Sequence, residues 1–200
     1  MINTTHNMNT APQTQPAAAS TPNVPTPGTQ GQQSQQFNNE RLMVLSHPSM
    51  NLIEITILKE TNKQFPKVFA LLMFVPGRED NTKQSGRTYV MEQKEFIKFS
   101  IDELFQLAYA LEEAAATGSC DFIKFADTSK FSGGNKKVKT VSISAVNNAQ
   151  RVKIYINYKS DNANIATTFT KWSAIGFAGQ IRALATEAQL VESKMKAKAN

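Results

Sequence analysis

The stretch most able to do chemistry is Arg151-Val152-Lys153-Ile154-Tyr155-Ile156-Asn157-Tyr158. With a strand's period of two, Val152, Ile154, Ile156 and Tyr158 share one face, and Arg151, Lys153, Tyr155 and Asn157 share the other. The first face is core. The second mixes two cations, an aromatic ring and an amide, groups that suit phosphates, unstacked bases and base edges respectively. Cations hold a sugar–phosphate backbone, and each stacked ring adds about 1–3 kcal/mol without regard to base identity. Further basic residues nearby are interleaved with aromatics, in the pairs Phe122/Lys124, Lys130/Phe131, Tyr158/Lys159 and Lys171/Trp172. The candidate contacts to a nucleic acid are therefore Lys124, Lys130, Lys136, Lys137, Lys139, Arg151, Lys153, Tyr155, Asn157, Lys159, Lys171 and Trp172. Trp172 is equally open to a reading as core packing at the start of a helix. Lys137 and Lys139 share a parity with Val141 and Ile143, which implies either a bulge that shifts the phase or lysines at a strand end beyond the core.

Groups that usually carry catalysis are scarce. His6 and His47 have no second metal ligand at useful spacing. Cys120 is the single cysteine, with no CxxC partner and no histidine after His47 to activate it. Ser132-Gly133-Gly134-Asn135-Lys136-Lys137 evokes a phosphate loop, but it lacks the G-x-x-x-x-G-K-[ST] spacing and sits between two strands, so it reads as a hairpin tip. Asp102, Glu103, Glu112 and Glu113 belong to a helix cap or a solvated helix face. The expectation is a protein without catalytic residues, metal or cofactor. The lack of a signal-like start, of a long apolar run and of paired cysteines points to an intracellular protein of the cytoplasm or nucleoid, or of a host cell if viral, with no membrane partner.

Charge narrows the partner further. The net charge is +6, but residues 1–39 carry no Lys, Arg, Asp or Glu, and residues 40–120 are slightly acidic. Residues 121–172 hold nine basic and three acidic side chains. Such asymmetry implies a polyanion. Sheet-borne aromatics, without a basic recognition helix, favour a single strand over a duplex.

The elements that must position these residues begin after a low-complexity tail. Of residues 1–39, 25 are Gln, Asn, Thr or Pro, too few apolar groups to offset the entropy of ordering, so a disordered tail is expected. One domain is expected over 40–200, with repeats at 40–118 and 119–200. Arg41–Leu45, Asn51–Lys59 and Val68–Val75 read as strands. Thr88–Met91 with Glu95–Phe99 reads as a fourth strand interrupted by a bend. Ser100 and Glu103 form a capping box, flanked by Phe99 and Leu104. The stripe Ile101, Leu104, Ala108, Leu111 and Ala115 follows, and Gly118 stops the helix. The order then recurs with strands at Asp121–Phe125, Lys137–Ala145, Arg151–Tyr158 and Ile165–Phe169. A second helix after Thr170 carries Ala174, Phe177, Ile181, Leu184, Ala188 and Val191 on one stripe. Phe99-Ser100 and Phe169-Thr170 are the corresponding junctions. The fold class is α+β, two ββββα repeats in which antiparallel sheets pack with two helices.

A duplicated ββββα arrangement with a basic second half resembles the Whirly single-stranded DNA-binding proteins. It is similar in topology to the mitochondrial guide-RNA-binding proteins and, for one unit, to the positive-cofactor-four coactivators. The resemblance covers residues 41–193 and lies in element order; the Lys-Gly-Lys-Ala-Ala-Leu segment of plant Whirly proteins is absent, and Asn135-Lys136-Lys137-Val138 is the nearest basic stretch. It implies sheets that present a face to single strands and helices that hold a dimer or tetramer together. The expected function is sequence-tolerant binding of single-stranded DNA in replication, recombination or repair, as in a bacteriophage or mobile-element protein of similar build. RNA binding or annealing is the nearest alternative. A structural assembly protein that oligomerises through its second helix, where Gly176, Ala178, Gly179 and Ala185 offer a small-residue surface, is the alternative from another class.

Overall fold

A computed structural model describes residues 39–61, 67–84, 86–127, 138–148 and 151–199. The reading of residues 1–38 as a tail lies outside them, as do Lys130, Lys136 and Lys137.

The main strands of the first repeat are β1 (Asn39–Pro48), β2 (Leu52–Glu60), β3 (Val68–Val75) and β6 (Glu95–Phe99). They form a four-stranded antiparallel sheet in the order β1-β2-β3-β6. Alternation in β2 is followed faithfully: Ile53, Ile55 and Ile57 are wholly buried while Glu54 and Thr56 face away. β1 is twice as long as its apolar run implies, because it pairs with β2 from Asn39↔Glu60 to Pro48↔Leu52, with a register shift between Arg41 and Met43. The interrupted fourth strand needs correction. β5 (Arg87–Tyr89) leaves the sheet to form a small ribbon with β4 (Gly77–Glu79), and only β6 joins β3. A single turn of 3-10 helix at Met91–Gln93 separates the two.

The second repeat matches it, with strands β7 (Ile123–Asp127), β8 (Val138–Asn148), β9 (Arg151–Lys159) and β10 (Asn164–Thr170). Their order is β10-β9-β8-β7, with every pairing antiparallel. Pairing between β8 and β9 runs without a break from Thr140↔Lys159 to Asn148↔Arg151, and that between β7 and β8 is equally regular. No bulge therefore shifts the phase of Lys139; it stands at the strand end, on the core side but beyond the core.

Helix α1 (Ile101–Thr117) starts on the expected box. Ser100 Oγ accepts from the Glu103 N–H at 3.2 Å, and Glu103 Oε2 accepts from the Ser100 N–H at 2.7 Å. Gly118 closes it at φ 76°, where a side chain would be strained. Helix α2 (Lys171–Ala199) has a lighter version of the same start. Thr170 Oγ1 accepts from the Ser173 N–H at 3.2 Å and Ser173 Oγ accepts from the Thr170 N–H at 2.8 Å.

The inward sides of both sheets and the buried stripes of both helices form one apolar cluster. Phe74 stacks on Tyr158 across the repeats at 5.0 Å, and His47 stacks on Phe169 at 4.2 Å, with Phe177 at 5.1 Å. Asn51 also links the halves: its Nδ2 donates to the Ala166 carbonyl at 2.7 Å, and its Oδ1 accepts from the Gly77 N–H at 2.8 Å. Gly77 must be glycine there, since a Cβ would lie 1.9 Å from the Met50 carbonyl oxygen. Each fully buried Ile, Leu or Phe contributes about 1.5–3 kcal/mol, whereas an exposed pair such as Lys59–Glu40 contributes about 0–1 kcal/mol. The core, not the surface charges, holds the sheets in place.

Candidate nucleic-acid interface

The outward side of the second sheet is set by the burial of Ile154, Ile156 and Tyr158 on β9, Val141 and Ile143 on β8, and Ile165 and Phe169 on β10. Burying those residues forces their alternate neighbours outward. On β9 these are Arg151, Lys153 and Lys159, all exposed, with Tyr155 and Asn157 half-buried between them. Asn157 is steadied by its neighbour: its Nδ2 donates to Ser144 Oγ at 2.9 Å, which leaves Oδ1 and one N–H for a ligand. Among the described residues Arg151, Lys153 and Lys159 make no ion pair. The β10 end meets α2 at Thr170, which lies opposite Lys153 in the register. Just beyond it, Lys171 and Trp172 are both exposed, and the indole is 77% accessible. The core-packing reading of Trp172 is therefore set aside.

Two predicted contacts lie elsewhere. Lys124 points to the covered side of β7, where its ammonium pairs with Glu103 and sits 5.0 Å from the Phe99 ring centre; its side chain is only 14% exposed. Burial alone would raise the Glu103 carboxyl, but hydrogen bonds from Lys124 and the Ser100 N–H, with the Lys124 charge, outweigh it and hold Glu103 below its ordinary value. Lys139 donates to Glu95 Oε2 and to the Phe96 carbonyl, both at 3.0 Å. The same Glu95 oxygen accepts from the Tyr158 hydroxyl at 2.8 Å. Burial and that acceptor push the Tyr158 hydroxyl well above the usual phenol range. These two lysines tie repeat two to α1 and β6 of repeat one.

With Lys124 inward, Ile123 and Phe125 face outward, 56% and 66% exposed. Neither was singled out from the sequence. Phe122-Ile123-Lys124-Phe125 is apolar at both parities, so alternation cannot choose its phase; the one available signal is that Phe125 shares the parity of Ile123 and not of Lys124.

The first sheet offers a different surface. Its outward cations are already satisfied, Arg41 by Glu54 at 3.6 Å and Lys98 by Glu60 at 3.3 Å, and Lys98 also lies 3.8 Å over the Phe69 ring. The two sheets share a topology but not an electrostatic character.

Among the described residues no three His, Cys, Asp or Glu side chains converge to hold a metal ion, and no helix is long and apolar enough to cross a membrane. A separate cavity of about 570 Å³ lies against α1, lined by Phe105, Tyr109, Cys120 and Phe122 among others. Burial pushes the Cys120 thiol above its ordinary value. The exposed side of α2 also differs from expectation: Ala178 and Ala185 are wholly buried, while Gly176 and Gly179 face open space beside exposed Ile175, with Leu190 farther along.

No family model and no curated protein matches the chain. Among solved structures it is similar to WHY3 from Arabidopsis thaliana, at 15% identity and a TM-score of 0.49 over 79% of this chain and 96% of that one. It is similar also to WHY1 from Arabidopsis thaliana, at 13% identity and 0.48 over 79% and 94%. A third is the plant transcriptional regulator PBF-2, at 9% identity and 0.48 over 78% and 88%.

Proposed function

We propose that this protein binds single-stranded nucleic acid, DNA in the first instance, across the outward side of its second sheet. Arg151, Lys153, Lys159 and Lys171 take phosphates, Tyr155 and Trp172 stack on bases, and Asn157 hydrogen-bonds to base edges. The observation that carries this reading is the contrast between the sheets: the outward cations of the first are matched by carboxylates, whereas among the described residues those of β9 make no ion pair and flank an aromatic ring. Unmatched cations release counterions from a polyanion, and a ring on a sheet accepts any base, so binding is sequence-tolerant. That chemistry suits a protein that coats strands exposed in replication, recombination or repair. Lys124 and Lys139 have structural partners, and their part in this reading is to hold the sheet. We include self-association in the proposal, through the exposed side of α2 at Ile175, Gly176 and Gly179, where the absence of side chains lets a second helix approach closely.

The test is a titration of labelled single-stranded DNA, RNA and duplex at two salt concentrations, with the parent and an Arg151→Ala/Lys153→Ala variant. The double variant should lose affinity for single strands, and its salt slope should flatten by about 0.7 for each phosphate it no longer neutralises. Unchanged binding in that variant would exclude this face, and no binding by the parent would exclude the function. Equal affinity for RNA would move the reading to RNA binding.

A further inference from the structure

We infer that Phe125 is a second stacking platform, and that a bound strand crosses the sheet on a diagonal from Phe125 at the β7 edge, over Tyr155, to Trp172 at the start of α2. The inference rests on the proposed binding face and extends it to Phe125, a side chain outside the contacts expected from the sequence. The register supplies the path. Phe125 lies opposite Thr140, and Thr140 lies opposite Lys159, so ring and ammonium share one row across β7, β8 and β9. Tyr155 belongs to the row of Ser144 and Thr168, four residues back along β9. Lys153 and Thr170 form the next outward row, which runs on into Lys171 and Trp172. Phe125 and Tyr155 are thus two strands apart and four residues offset, a diagonal of about 16 Å from strand spacing and rise. Each ring has a cation in its own row or the next: Lys159 in the row of Phe125, Lys153 in the outward row after Tyr155, and Lys171 beside Trp172.

An edge strand is normally guarded by charge. β7 instead shows Ile123 and Phe125 outward at 56% and 66% exposure, which leaves two apolar side chains in water unless something covers them. A strand of bases is suited to do so, because the rest of the row is hydroxyl and ammonium. The Phe125 end of the track therefore contributes stacking, and the β9–α2 end contributes charge.

The experiment uses the full chain and oligothymidylates of about 4 and about 12 nucleotides, a short and a long length within the footprint of about 4–16 nucleotides for a single-strand site on an OB fold. Trp172 is the sole tryptophan, so quenching of its fluorescence reports occupancy at the far corner. Phe125→Ala should weaken the longer oligomer by about five-fold to a hundred-fold. The salt slope, and the affinity of the shorter oligomer, should stay unchanged. Phe125→Tyr, which keeps Trp172 the sole tryptophan, should restore the longer oligomer's affinity. Equal affinity of the parent and Phe125→Ala for the longer oligomer overturns the path while leaving the proposed face intact. A parent that binds neither oligomer removes the face itself. A Phe125→Ala variant that changes assembly state in light scattering, at unaltered affinity, also overturns the inference and makes β7 a protein contact.

Discussion

Residues of one chemical type do opposite work in this protein, and burial separates them. Arg151 and Lys153 stand in water with no ion-pair partner among the described residues, so their removal should move stability by less than about 0.5 kcal/mol. Lys139 is held between Glu95 and the Phe96 carbonyl beside the Tyr158 hydroxyl. Removing it leaves a half-buried carboxylate with the Tyr158 hydroxyl but without its cationic donor. We expect Lys139→Ala to destabilise the fold by about 1–3 kcal/mol, read as a lower denaturation midpoint at an unchanged salt slope of binding. A Lys139→Ala variant as stable as Arg151→Ala would show that the Glu95 cluster is not a structural tie.

Among the elements, the contact of β1 with β10 and α2 joins the two repeats through a titratable ring. His47 stacks on Phe169 at 4.2 Å and lies 5.1 Å from Phe177, and burial lowers its imidazole below the ordinary value. The unfolded chain, whose histidine titrates near about 6.5, then binds a proton more readily than the folded one. Stability from this group is complete above that value and is lost as pH falls below it towards the folded pKa. The thermal midpoint should therefore drop between pH 7 and pH 5.5, and His47→Gln should flatten that slope. An equal slope in both proteins would assign the pH dependence to other groups.

At the scale of the whole molecule, two sheets of one topology carry different surfaces, and one core joins them. Among the described residues, every residue of that core lies after position 39. We expect a chain beginning at residue 39 to match the full chain in thermal midpoint, in single-strand affinity and in assembly state by light scattering. A loss of affinity in the shortened chain with its midpoint retained would give residues 1–38 a part in binding.

Much of this was legible beforehand because the deciding signals are local. The capping box at Ser100 and Glu103, the stop at Gly118 and the alternation of β2 and β9 each follow from a few neighbouring side chains. So the helices, the two-repeat order and the outward row of β9 could be read from the chain alone. What could not be read depended on groups distant in sequence. The phase of β7 was undetermined in Phe122-Ile123-Lys124-Phe125, because either parity is apolar enough to bury. It was decided by Glu103, whose carboxylate draws Lys124 to the covered side and leaves Phe125 in water. The position of Lys139 was open between a bulge and a strand end; the unbroken pairing of β8 with β7 and β9 decided it, and Glu95 of the other repeat supplied its partner. Trp172 could equally have packed inward; the core beneath α2 is already filled by Ala174, Phe177 and Ile181, so the indole remains outside. Alternation determines which side chains share a face, but only long-range ion pairing and packing decide which face meets the solvent.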